Sequence, residues 1–119
     1  MSVSYNGFDV KCITFEKKPS TQIVAGDLVA QGADGYIEKV SANTPFFGVA
    51  SCVRDNFVTV QISGYAELEY TGASAPSGLC KLVSNGAGKV SVDSSSTSVN
   101  PARMVLKHDE AAKKIGVVL

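Results

Sequence analysis

A chain of 119 residues with 45% hydrophobic and 18% charged side chains is one domain of ordinary size, with enough apolar material for a core. The charged share falls below the roughly 25% usual for soluble domains. Eleven Lys and Arg balance eleven Asp and Glu, so the formal net charge is zero. That excludes the basic excess of a nucleic-acid-coating protein and a polybasic membrane anchor, and it leaves little electrostatic protection against association.

Residues 1–8 are small and polar with two aromatics, Tyr5 and Phe8, and read as an extended arm ahead of a single domain over 9–119. The arm has neither the basic n-region nor the apolar h-region of a signal peptide. No apolar run in the chain nears the roughly 20 residues of a membrane-spanning helix. Val10 to Phe15 mixes β-formers with polar residues over a strand length. Asp27 to Ala30, the tight turn Gly32-Ala33-Asp34-Gly35 and Tyr36 to Val40 read as a hairpin. Phe46 to Val53 is an apolar run that predicts a strand buried on both faces, followed by turn chemistry at Arg54-Asp55-Asn56. Val58, Val60 and Ile62 alternate onto one strand face. After a kink at Gly64, Ala66, Leu68 and Tyr70 share an inner face, and Tyr65, Glu67 and Glu69 a solvated outer one. Thr71 to Gly78 is a loop of small residues around Pro76. Leu79 to Val83 and Lys89 to Val92 flank the turn Ser84 to Gly88. A Ser/Thr-rich loop runs from Asp93 to Asn100. Arg103 to Lys107 is a strand, His108 to Lys114 a polar turn, and Ile115 to Leu119 a last strand. No stretch sustains a 3.6-residue apolar period, so the chain is all-β.

Two segments resemble each other. Leu28-Val29, two polar or small residues, Gly32-Ala33 and Gly35 reappear as Leu82-Val83, two such residues, Gly86-Ala87 and Gly88. Phe47-Gly48-Val49-Ala50 is matched by Ile115-Gly116-Val117-Val118, and the second half carries extra residues, the serine loop among them. Two pseudo-repeated halves, each covering the other's apolar face, predict a small β-barrel.

The chemistry-bearing residues do not converge. His108 is the single histidine and sits in a charged segment, which reads as exposed surface. There is no GxSxG elbow, GxGxxG or GK[ST] loop, and the glycine turns sit in hairpins rather than ahead of helices. Asp27, Asp34, Glu38, Glu67 and Glu69 are carboxylates without a DxDxDG calcium loop. Cys12, Cys52 and Cys80 form no CxxC and read as buried reduced thiols in strands. These residues predict no catalytic site, no metal and no cofactor, and therefore not an enzyme.

Val24-Ala25-Gly26-Asp27-Leu28-Val29, the Gly-x-x-Gly turn and Phe47-Gly48-Val49-Ala50 resemble bacteriophage head decoration (capsid cement) proteins. So do Val58 to Gly64, Pro76-Ser77-Gly78, Gly86-Ala87-Gly88 and Ile115 to Leu119, and the resemblance covers roughly residues 20–119. It implies a small β-barrel or β-tulip domain without enzymatic role, made in the bacterial host cytoplasm and located on the outer capsid surface of the virion. Such proteins bind the major capsid protein, often as homotrimers, bridge its subunits after the shell expands, and order an N-terminal arm on the shell. Neither nucleic acid nor membrane is an expected partner. The candidate capsid-binding residues are Tyr5 and Phe8 in the arm and Pro76 in the small-residue loop. A phage tail or baseplate component, and a non-catalytic β-barrel ligand-binding or carrier domain with a modifiable lysine at a hairpin tip, are the alternatives. Lys39 and Lys89 follow turns but lack the Met-Lys context of a carrier.

Overall fold

The computed structural model describes residues 10–94 and 101–119. The arm with Tyr5 and Phe8, and residues 95–100 of the serine loop, lie outside the described residues. The strands in chain order are β1 (Lys11–Glu16), β2 (Leu28–Gln31), β3 (Ile37–Lys39), β4 (Gly48–Arg54), β5 (Phe57–Ser63), β6 (Tyr65–Glu69), β7 (Gly78–Ser84), β8 (Val90–Val92), β9 (Ala102–Asp109) and β10 (Lys114–Val118). The fold is all-β. The strands form two five-stranded sheets, ordered β1-β5-β4-β2-β3 and β6-β10-β9-β7-β8, and every ladder is antiparallel.

The two orders are one order used twice, with β6 to β10 standing where β1 to β5 stand. Main-chain hydrogen bonds repeat with it. Lys18 N–H donates to Ile37 O, and Thr71 N–H to Val90 O. In the hairpin turns, Gly32 N–H donates to Tyr36 O and Asn85 N–H to Lys89 O. Val40 N–H donates to Leu28 O, and Asp93 N–H to Lys81 O. The same offset carries Gly35 onto Gly88, at φ of 87° and 82°, a left-handed conformation that glycine adopts without steric cost.

This topology moves both alignments and relocates the extra residues: the bonds above set Leu28 against Lys81 and Gly32 against Asn85, one residue before the Leu82 and Gly86 of the sequence match. By position in the sheet β4 corresponds to β9, and β10 to β5. Gly48-Val49 and Gly116-Val117 are therefore not equivalents, because they fall on strands of different position. The serine loop is no insertion, since it is the counterpart of the segment Val40 to Phe47 that joins β3 to β4. The β9–β10 turn, Glu110 to Lys113, is longer than its counterpart Asp55-Asn56. Lys113 O there accepts from Tyr70 N–H, just as Asn56 O accepts from Lys17 N–H.

Neither sheet closes into a barrel. The outer strands of each meet at a single parallel bridge, Lys17 with Ile37 and Tyr70 with Val90, rather than along a ladder. The four-residue β2 and three-residue β3 are too short to carry pairing around a full circle.

One apolar cluster lies inside the first half: Ile23, Val29, Ile37, Ala50, Val58 and Val60, with Phe15, Phe47, Val53 and Ile62 against it. The larger cluster joins Leu68, Tyr70, Leu82, Val90, Ile115 and Val117 of the second half to Leu28, Val40, Phe46 and Val49 of the first. Covering between the halves is thus one-sided, and β2 is buried on both faces, with Leu28 in one cluster and Val29 in the other. Backbone bonds between Asn43 and Thr44 on one side and Ser84 on the other tie the halves. At the same joint the Arg103 guanidinium lies 4.6 Å from the centre of the Phe46 ring and donates to Phe46 O at 2.8 Å. The strand expected to be buried on both faces is so only at Gly48 to Ala50. A bulge between Ala50 and Cys52 then turns Ser51 and Cys52 out to solvent.

Candidate functional site

The outer face of the second sheet carries the most organised exposed surface. Register places side chains there in rows across the strands. Glu69, Lys114 and Asp109 form one row, and Glu67, Gly116 and Lys107 the next. Tyr65, Val118, Met104 and Leu79 form a third. The face is therefore charged at one end and apolar at the other. Leu79 is 69% exposed and Met104 44% exposed, and the two are direct cross-strand partners. Leu106, at the bulge that shifts the β9–β10 register, adds a third exposed apolar side chain.

Glycine shapes the middle of this face. The ring of Tyr65 lies over Gly116, where a methyl group would overlap the Tyr65 hydroxyl. Tyr65 is therefore buried, although strand alternation placed it on a solvated face with Glu67 and Glu69, which are exposed. Its hydroxyl donates to Glu67 Oε2 at 3.1 Å, and Lys107 Nζ reaches the same carboxylate at 3.3 Å. Burial pushes the Tyr65 phenol above its ordinary range. The Tyr65 oxygen, with Glu67 beside it, holds the Lys107 ammonium above its own.

A groove of about 410 Å³ opens at the charged end, lined by Glu67, Lys107, His108, Asp109, Lys114 and Gly116 among others. Two of its carboxylates are engaged in structure. Asp109 Oδ1 accepts from the N–H groups of Ala111 and Ala112 and so caps the turn, while Glu67 is paired as above. The lining brings no hydroxyl or thiol to His108. The arrangement can screen and pair charge, but it does not assemble a nucleophile with a base.

The residues singled out in the sequence are dispersed. Tyr5 and Phe8 lie outside the described residues. Pro76 is buried, so the small-residue loop turns its ring inward and presents Ala73, Ser74 and Ser77 instead. Pro76 therefore offers no surface to a partner in this conformation. Asp27 is buried and accepts the Val24 N–H at 2.9 Å, with Lys39 Nζ at 3.6 Å. Asp34 and Glu38 share Lys18, and Glu69 pairs with Lys89. Lys39 and Lys89 are thus both held in ion pairs, not displayed at hairpin tips. No group of three or more metal-ligating side chains occurs among the described residues. All three cysteines lie in strands, but Cys12 and Cys52 are exposed rather than buried, because both belong to the outer face of the first sheet. Cys80 is half-buried, and burial pushes its thiol up.

The chain matches no family model, no curated protein and no solved structure. The Leu79–Met104 pair had no signal in the sequence, because β8 and the serine loop separate its two strands and only the folded register brings the two residues together.

Proposed function

We propose that this chain is a non-catalytic structural module of a virion, a decoration protein that binds the outside of a phage shell and bridges its major subunits. The observation that carries this reading is the apolar row Leu79–Met104 with Leu106, displayed on the outer face of a sheet. Exposed apolar side chains in contiguous array, rimmed by polar ones, mark protein–protein contact surfaces. The resemblance of residues 20–119 to decoration proteins supplies the kind of partner, and a neutral net charge suits contact with protein better than contact with nucleic acid. Many copies on a symmetric shell gain avidity, so a contact patch of this modest size suffices.

The test is co-sedimentation of the purified chain with undecorated, expanded heads of its own virus. Binding is expected to change less than about tenfold between about 50 and about 500 mM salt, since apolar burial and not counterion release holds the complex. Leu79→Lys with Met104→Lys should abolish occupancy and leave the unfolding midpoint unchanged, because both side chains are exposed. Wild-type protein that fails to bind such heads, or a double variant that binds as well as wild type, overturns the proposal.

A further inference from the structure

Among the described residues the two sheets have four edge strands, β1, β3, β6 and β8. An edge offers unpaired backbone groups to any passing strand, and proteins blunt such edges with short strands or charges. Three edges here are blunted. β3 and β8 have three residues each, and β6 carries exposed Glu67 and Glu69. β1 is six residues long, lacks proline and is uncharged from Cys12 to Phe15. The row of side chains on its inner face is also unfinished. Ala50, Val60 and Ile13 stand side by side on β4, β5 and β1. Ala50 and Val60 are buried, but Ile13 is 45% exposed, and among the described residues no strand lies beyond it.

We propose that β1 pairs with β1 of a second copy of this chain, antiparallel across a twofold axis at Ile13, so that the first sheets of two copies run on as one. Backbone direction fits this axis. Lys17 N–H points to Asn56 O on the β5 side, and Lys18 N–H points to Ile37 O on the other. Strand alternation then sends the N–H and C=O of Cys12 and Thr14 to the open edge. Centred on Ile13, Cys12 of one copy and Thr14 of the other exchange both hydrogen bonds, twice over. The two Ile13 side chains meet in a non-hydrogen-bonded pair, where side chains approach most closely. Lys11 faces Phe15 and Val10 faces Glu16, so no like charges oppose. Shifting the axis to Thr14 sets Lys11 against Lys17, whose outer side Ile37 already occupies. The second copy is the occupant because β1 itself has the alternation the edge requires, apolar at Ile13 and Phe15 and polar at Cys12 and Thr14. The absence of net charge removes long-range repulsion between copies.

The experiment is sedimentation velocity on the full chain from about 1 to about 200 µM, independent of any shell. A monomer–dimer equilibrium is expected. Thr14→Pro removes an outward N–H at an edge, where proline is tolerated, and should weaken dimerisation at least tenfold with an unchanged circular dichroism spectrum. Ile13→Lys places two ammonium groups face to face and should do the same, which keeps the test decisive if the proline variant folds poorly. On a Cys12→Ser, Cys52→Ser background, Ile13→Cys should cross-link to itself under mild oxidation. A wild-type monomer throughout the range, a trimer, or a dimer indifferent to Ile13→Lys overturns the inference. Failure of head binding with the dimer intact counts against the shell reading alone.

Discussion

Replacing Gly116 by alanine isolates the packing at the centre of the outer face. No positive φ constrains this glycine, so the backbone accepts alanine, but the new methyl would overlap the Tyr65 hydroxyl and sit 2.6 Å from Cε1 and Cζ of the ring. The backbone of β10 is held on both sides by ladders, so the ring must move. Tyr65 is 4% exposed. Expelling its ring returns about 100–150 Å² of apolar surface to water, a loss of about 2.5–4 kcal/mol at about 25 cal/mol per Å². Alanine recovers about 0.5–1 kcal/mol through its lower backbone entropy cost in a strand. The net expected destabilisation is about 2–3 kcal/mol, measured by urea unfolding of wild type, Gly116→Ala, Tyr65→Ala and the double variant. With Tyr65 already truncated, Gly116→Ala should cost nothing or stabilise slightly. Costs that simply add, or a single-variant loss below about 0.5 kcal/mol, would refute the account of why glycine stands here.

Two further outcomes follow from the packing and the titrating groups. Val60→Ala removes two methyl groups from a fully buried site and should cost about 1–3 kcal/mol in the same urea assay. Tyr65 and Tyr70 have phenol pKa values raised above 10.0, mainly by burial, and the Lys107 ammonium has its pKa raised above 10.5 by Tyr65 and Glu67. A raised folded-state pKa gives stability that is complete below the unfolded value and is lost as pH rises through the folded one. The unfolding midpoint should therefore hold up to about pH 10 and fall above it. Absorbance at the tyrosinate band should show two of the tyrosines ionising late. A midpoint that rises on the alkaline side contradicts this assignment.

Local chemistry was legible in the sequence, and long-range register was not. The β2–β3 and β7–β8 hairpins could be placed because their glycine turns and flanking β-formers are adjacent in the chain. Val58, Val60, Ile62 and Leu68 were readable as core from alternation alone; Val58, Val60 and Leu68 are buried, and Ile62 is half-buried. Alternation failed at Tyr65, because what buries that ring is a glycine on a strand half the chain away. It failed again beyond Ala50, where a bulge reverses the faces. The repeat was visible in its turns, but its strand equivalences were not, since Gly-Val pairs recur on strands of different position. Pro76 read as a surface residue because its neighbours are small and polar, and nothing local says that the loop folds its ring inward. The apolar row on the second sheet emerges only when β7 and β9 are paired.

The doubling of the fold also sets an order on its assembly. Every ladder joins strands of the same half, and the longest pairing in the first half, Lys11 with Ser63, is complete before the second half is needed. A chain leaving the ribosome can therefore finish its first sheet while the second is still being made, and loop closure is limited to half the chain length. That early sheet still lacks most of the cover for Leu28, Val40, Phe46 and Val49, whose cluster is completed by Leu68, Tyr70, Leu82, Val90, Ile115 and Val117 of the second half. For the time of synthesising some fifty residues these four side chains form a sticky, temporary surface, and the same stretch that later joins the halves is where a nascent chain is most exposed to miscoupling with its neighbours on a polysome.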